Sequence, residues 1–498
     1  MTVNVTVTEF RGAKGAGKQR DSVEAPDSLF STATVRIVDL IGEGEMEMFP
    51  SDNFLKDIFV DQTPVMNSDG SMNFENVSAA FNVGTPDQPV LPGGDISEAE
   101  MGVGVELHAA TPWTQSIINR ELDAIYVRLG TAALSKADKD TGDINGYKVE
   151  YALDLSVDGG AFQEIYRGAF TGKTSTLYER QHRIDLPKSY ATGWIVRARR
   201  ITPEASDAYT SDKIAVQSWS EIVLAKVRFA YSAVVSLTLS AEQFKSIPQR
   251  AYRVKGRKVR VPTNYDPVAR TYSGVWDGTF KVAWTRNPAW VYYDMATSRR
   301  YGLGIKVHEQ FIDKWSLYPI AQHCDEIVPD GRGGTEPRFS CSVYLQQAGD
   351  AFKVMQDLAS VFRGITYWSG GTVVTVGDQP TSPAFVYTNA DVVNGEFRQG
   401  GSSLDARHTV AYVAWSNPDN FSKGEVATVT NEAGITRYGL NPIEVTAFGA
   451  DSESQAQRVG NWILETDLND TGTMEWSVGA AGVLVVPGMV AGIADSLM

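Results

Sequence analysis

The chain has 498 residues, 43% of them hydrophobic and 21% charged, enough length for three or four domains with sizeable cores and a composition that excludes wholesale disorder. A net charge of −15 and only two cysteines argue against a globally basic nucleic-acid binder and exclude a disulfide framework. The 45 glycines, 11 tryptophans and 20 tyrosines lean toward β structure with many turns.

The opening MTVNVTVTEF alternates polar and apolar side chains and lacks the basic start and apolar core of a signal peptide. With the low cysteine count this points to synthesis in a reducing cytoplasm. Residues 1–30 read as an arm. Within it, Gly12-Ala-Lys-Gly-Ala-Gly-Lys18-Gln19 nearly matches a phosphate-cradling G-x-x-x-x-G-K-[ST] loop. Gln19 stands where a hydroxyl would ligate magnesium, and Pro26 follows where a helix is needed, so the stretch reads as a Gly/Lys loop touching a neighbour.

Residues 31–105 form a β unit with apolar runs at Val35–Ile41 and Asn53–Val60 and turns at Asp69-Gly70 and Pro92-Gly-Gly94. Residues 106–225 read as a separate β-sandwich. There Ile125–Leu129, Tyr147–Leu155, Phe162–Tyr166, Arg183–Leu186 and Trp194–Ile201 alternate, and Asp158-Gly159-Gly160 signals a hairpin. Such a sandwich could bind sugar, but the clustered aromatics that role needs are not evident.

Residues 226–305 return to β structure. Arg253–Val261 alternates as a half-buried strand, Pro262–Pro267 stops it, and Thr279–Trp284 gives a second strand. Asn287-Pro288 then opens a short helix around Trp290–Met295. Lys226–Ile305 holds fourteen Lys/Arg against four Asp/Glu, a balance of +10 that leaves −25 on the remainder. That asymmetry suits a basic face meeting acidic faces of neighbouring subunits. The density of Tyr, Trp and Arg makes Arg257, Tyr265, Trp276, Trp290, Tyr293 and Tyr301 the interface candidates; each fits a core position equally.

Residues 306–385 are α+β: Phe311–Val328 and Ala351–Phe362 carry helical stripes. A hairpin follows, from Ile365–Trp368 through Gly370-Gly371 to Thr372–Val376. Residues 386–498 return to strands at Thr409–Trp415, Glu425–Val429 and Glu444–Phe448, with one helix over Ser452–Asp467. The uncharged run Val478–Ala494 is short for a membrane span and broken by Pro487; it reads as strands meeting at a Pro-Gly turn.

No catalytic, cofactor or metal residue is assigned. The five histidines stand outside any HExxH, HxH or nucleophile-elbow context. His323-Cys324-Asp325 with Cys341 lacks a C-x-x-C, so two buried thiols are expected there. Glu336, in Gly334-Thr-Glu-Pro337, sits in a turn.

The words VPTNYDP, YSGVWDGTFK, NPAWVYYDM and RRYGLG between residues 261 and 304 occur together in one order. They continue in Asp313–Tyr318, His323-Cys-Asp325 and Val328–Arg338. Upstream stand Glu24–Leu29 with Ser31-Thr32, Glu43-Gly44, Thr63-Pro64 and Asp69-Gly70. From about residue 24 to about residue 488 the chain resembles the tail-tip attachment (host-specificity) protein of lambda-like siphophages. The resemblance implies a mainly β protein with α+β elements, a multidomain tail-hub architecture with β-barrel-like hub domains and, at 106–225, an inserted β-sandwich. It implies a virion structural protein, not an enzyme, assembled in the host cytoplasm as a homotrimer at the tail tip. The trimer would close the tail tube around the tape-measure protein, contact other tail-tip proteins and open on host recognition. Family members carry an acidic residue where Met489 stands and continue through fibronectin-like modules, so the host receptor is expected to meet regions not in this chain. No cofactor, membrane span or sequence-specific nucleic acid is implied. A tail-only bacteriocin particle would use the same hub, and a β-rich carbohydrate-binding or carbohydrate-active protein is the alternative from another class.

Overall fold

The computed structural model describes residues 22–30, 34–91, 96–224, 227–240, 244, 246–346, 351–369 and 371–495. The Gly12–Gln19 loop with most of the expected arm, the turn at Pro92-Gly-Gly94, and Gly370 lie outside the described residues.

Strand Thr34–Glu43 pairs antiparallel with Ser232–Ser240, which pairs in turn with Ser78–Val83. Alternation sends Ala233, Val235, Leu237 and Leu239 to one face, where they meet Met46, Met48, Ile58, Val60 and Val65. Val83 lies opposite Ala233. The chain therefore leaves this sheet and returns to it at facing positions, with residues 84–232 between.

Most of those intervening residues form two four-stranded antiparallel sheets. One runs Gln163–Gly172, Tyr147–Val157, Trp194–Arg200, Trp113–Ile117; the other runs Tyr178–Asp185, Ala124–Thr131, Ala215–Leu224, Ile96–Glu106. Val149, Tyr151 and Leu153 from the first share a core with Ile125, Val127 and Leu129 from the second, which makes the pair a sandwich. Asp158 and Gly159 take φ of +55° and +71°, and Gly160 N–H donates to Val157 O at 3.0 Å. That is the turn geometry a tight hairpin needs. The sandwich also includes Ile96–Glu106, ahead of residue 106; Glu98, Glu100, Gly102 and Gly104 hide that strand from an alternation search.

His182 sits in this module, 8% exposed, with its Nε2 3.1 Å from the Tyr151 hydroxyl. Burial, helped by the Arg180 charge, lowers its pKa from 6.5 to about 4. Between those values the unfolded chain holds the extra proton, so stability falls as pH drops from 6.5 towards 4, by up to about 3 kcal/mol. His182→Phe is expected to flatten that pH dependence, read as the difference from the wild type in urea midpoints at pH 7 and pH 4.5.

After the sandwich, Lys255–Pro262 pairs with Met46–Met48 and with Phe280–Trp284. Three helices share a core with Val259 and Val261 of this strand: α1 (Pro288–Thr297) packs on the strand, and α2 (Lys314–Asp325) and α3 (Ala351–Ser360) pack on α1. Asn287 caps α1 with Pro288 in its first turn, and Asp313 caps α2 through Trp315 N–H at 3.0 Å. The hairpin Gly364–Ser369/Thr372–Gly377 follows α3.

In the C-terminal part, α4 (Glu432–Tyr438) precedes α5 (Glu453–Asn469). Strand Val410–Asn417 pairs antiparallel with Lys423–Thr430 and parallel with Pro442–Thr446. Ala456 and Leu464 of α5 bury against Ala411, Val413 and Trp415. Gly460 makes this close approach possible, since a Cβ there would lie 2.7 Å from Val429 Cγ2.

The chain is thus mainly β with α+β elements. Two expectations are corrected. No sheet among the described residues closes into a barrel: outside the sandwich they have two or three strands, too few for closure. Ala480–Leu484 is a 3-10 helix where a strand was expected, because small residues open the run Gly479–Gly482 with no β-branched side chain; only Ala491–Ala494, parallel to Phe385–Thr388, is a strand. Among the described residues no helix is long and apolar enough to cross a membrane.

Candidate functional site

Three of the words quoted above meet in one buried polar network: YSGVWDGTFK through Tyr272, NPAWVYYDM through Asn287 and Trp290, and His323-Cys-Asp325 through Asp325. Asp325, at the end of α2, is 6% exposed. It accepts from Arg270 Nε, from Asn287 Nδ2 at 2.7 Å and from the Tyr272 hydroxyl at 3.0 Å. Arg270 also donates to Ser340 Oγ at 2.8 Å and Phe339 O at 2.9 Å, and Trp290 Nε1 donates to the Tyr272 hydroxyl at 3.1 Å. Asn287 closes the network by donating to Ala321 O at 2.8 Å while capping α1. Burial pushes the Asp325 carboxyl up, against the pull of Arg270. A charge so placed is tolerated because its hydrogen bonds are met. The network joins the turn after Lys255–Pro262 to both helices.

Four of the six interface candidates belong to this chain's own core. Tyr265, Trp276, Trp290 and Tyr293 are at most 5% exposed. Trp276 stacks on Tyr318 with ring centroids 5.0 Å apart, and Phe280 stacks on Tyr293 at 4.7 Å. The helices cover them, and that cover is what a local reading of residues 247–304 could not see. Arg257 and Tyr301 are half-buried. The Arg257 guanidinium lies 3.4 Å from the centre of the Tyr301 ring, and the Tyr301 hydroxyl donates to Asp294 of α1. Burial raises the Asp294 carboxyl.

The RRYGLG word ends α1. Leu303 N–H donates to Met295 O at 3.0 Å and Gly304 N–H to Ser298 O at 2.9 Å, satisfying carbonyls that a helix end leaves open. A Cβ on Gly302 would overlap Met295 O, backbone that cannot step aside. Gly302→Ala is expected to destabilise the protein by about 2–3 kcal/mol, read as a lowered urea midpoint.

Six of the fourteen Lys and Arg side chains of 226–305 are paired within the chain with acids from outside the segment. Arg250 pairs with Asp39, Lys258 with Glu45, Arg260 with Glu309, Arg270 with Asp325, Arg286 with Asp451 and Arg300 with Glu43. Those acids all lie outside the segment, so a charge count over the segment misses them.

Beside this core lies a cleft of about 360 Å³, lined among others by Tyr293, Glu309, Lys314, Trp315 and Thr372. Trp315, in that lining, is 55% exposed, and Trp368 is 60% exposed. These two, rather than Trp276 or Trp290, are the tryptophans that face solvent. The five histidines occupy five separate places: His108 contacts Glu204, His182 Tyr151, His323 Glu326 and His408 Asp467, and His308 caps a 3-10 turn. Cys324 and Cys341 are buried free thiols, and burial pushes Cys341 up to about 12. Among the described residues no three His, Cys, Asp or Glu side chains gather as a metal site. Glu336 lies in a short strand, Thr335–Pro337, and is held by Ser452 Oγ at 2.7 Å and Arg458 Nη1 at 2.7 Å, tying the three-helix unit to α5. Sequence offered no partner for it because these lie more than a hundred residues away.

Residues 97–225 match the family model of the FNIII-A domain of tip attachment protein J, and residues 350–495 match that of a putative phage tail protein. The chain is 40% identical over 498 residues, 100% of its length, to Tip attachment protein J of Escherichia phage SECphi4. It is 37% identical over 487 residues, 97% of its length, to the protein of the same name from Escherichia phage SECphi27. It spans 43% and 40% of those two relatives. Among solved structures, the 43 kDa tail protein of prophage MuSo2 from Shewanella oneidensis is similar at 13% identity and a TM-score of 0.27, over 80% of this chain and 90% of that one. A stretch that aligns along its whole length with these relatives, and that matches the FNIII-A model of the same protein over residues 97–225, belongs to the tip attachment protein J family of phage tail proteins.

Proposed function

We propose that this chain is the central hub portion of a siphophage tail tip, a homotrimer that closes the distal end of the tail tube. In this reading the tape-measure protein lies inside the ring and other tail-tip proteins surround it. Host recognition, through regions of the relatives that this chain does not span, rearranges the trimer and opens it for genome delivery. The work is mechanical and needs no covalent step. Assembly takes place in the host cytoplasm, and the finished protein resides at the virion tail tip. Rings of this kind need heterologous contacts that close by rotation.

The observation that carries the proposal is 40% identity across the whole chain to a protein named for tip attachment. Within the hub, residues 31–105 and 226–305 are proposed as two halves of one β domain interrupted by the sandwich; the pairing of Val83 with Ala233 supports that division. Residues 306–385 and 386–498 are proposed as the α+β and C-terminal hub domains. The test is immunogold labelling of intact particles with antibodies to the purified chain. Gold confined to one tail end is expected; gold along the tube, or none on particles that demonstrably contain the protein, would overturn the proposal.

A further inference from the structure

Residues 22–30 lie close in sequence to the hub strand Thr34–Glu43, yet they are bound to the sandwich. Ala25 N–H donates to Ile144 O at 2.8 Å, and Ile144 N–H returns to Val23 O at 3.0 Å. Ser28 N–H donates to Lys173 O at 2.9 Å, and Lys173 N–H to Ser28 Oγ at 3.0 Å. The Lys173 ammonium sits between Asp27 at 2.8 Å and Glu24 at 2.7 Å, while Asp27 also accepts from Ser175 Oγ at 2.5 Å and N at 3.1 Å. Leu29 packs on the sandwich core. Gly172, with φ of +143°, leaves the room: a Cβ there would overlap Ser28 Oγ and lie 3.1 Å from Leu29 Cγ. The seat is shaped for this segment.

The chain crosses between the sandwich and the hub sheet at three places: between residues 30 and 34, 83 and 96, and 224 and 232. The last two are the covalent entry and exit that any insertion would have. The first exists only while residues 22–30 are docked. We propose that residues 22–30 are a latch that fixes the orientation of the sandwich on the hub sheet, and that undocking it frees the sandwich to swing on its two remaining connections. The inference rests on reading the sandwich as an insertion. Its contacts are mostly polar, with one apolar anchor, so they can open without unfolding either body. The charged cluster favours the docked state: Lys173, followed by Ser175, holds the Asp27 carboxyl down to about 2.

The test uses the full chain with spin labels at Gln163→Cys on the sandwich and Ser68→Cys in the hub unit; Cys324 and Cys341 are buried and stay unlabelled. Distance distributions and amide exchange are compared with and without Asp27→Ala, and with Lys173→Met as a second variant. The expected result is at least tenfold faster exchange at Ala25, Ser28 and Ile144, a broadened label distance, and unchanged protection in Ala124–Thr131. An unchanged distance despite lost protection at Ala25 and Ser28 would overturn the latch. So would unchanged protection there in both variants, or faster exchange in Ala124–Thr131, which would mark the segment as a structural part of the sandwich. The measurement is made on the single chain, so its outcome is independent of whether the trimeric hub forms.

Discussion

Asp325→Ala is expected to destabilise the three-helix unit by about 3–5 kcal/mol, the usual consequence of removing one partner of a buried ion pair. The Arg270 side chain is 11% exposed and would keep its charge with no carboxylate beside it. Asn287 and the Tyr272 hydroxyl would each lose an acceptor in the same step, and unmet buried donors add to the loss. The measurement is a urea titration followed by tryptophan fluorescence, since Trp276 and Trp290 sit against the network. Arg270→Met combined with Asp325→Asn is expected to lose less than Asp325→Ala alone. It removes the stranded charge and keeps an acceptor for Tyr272. A combined variant at least as damaged as the single one would show that the ion pair is not what matters there.

Trp290→Ala is expected to cost about 3–5 kcal/mol as well, by a different route. Its ring is 0% exposed, edge-on to Trp276 at 5.9 Å and to Phe280 at 6.1 Å. Truncation opens a cavity that α1, α2 and the strand Phe280–Trp284 surround. The comparison is Trp315→Ala, whose 55% exposed ring predicts a change within about 1 kcal/mol. The pair separates core from interface: an anchor for a neighbouring subunit would weaken association and leave the single chain's urea midpoint in place. A Trp290→Ala chain as stable as the wild type would contradict the core assignment.

Much of the fold was legible because it is written in local periods. Tyr147–Leu155 alternates along its length and forms the strand Tyr147–Val157. Asn287-Pro288 announces α1, since Asn accepts from the first free N–H groups and Pro lacks one to lose. What stayed hidden is non-local. The strand Ile96–Glu106 pairs with Ala215–Leu224, and two glycines and its glutamates mask its pattern. Tyr265 and Trp276 fit an interface and a core equally well when residues 247–304 are read alone, because α2, which covers them, comes later in the chain. The acids that neutralise Arg250, Lys258 and Arg300 lie 211, 213 and 257 residues upstream. Periodicity reports which face a side chain takes, and a distant element decides what that face meets.

The most direct test of the trimeric hub is the mass of the purified chain by light scattering, with negative-stain images of the same sample. A species near three times 54.3 kDa that appears as three-fold rings is expected. A chain that remains a monomer, without rings, even when the neighbouring tail-tip proteins are added would contradict it.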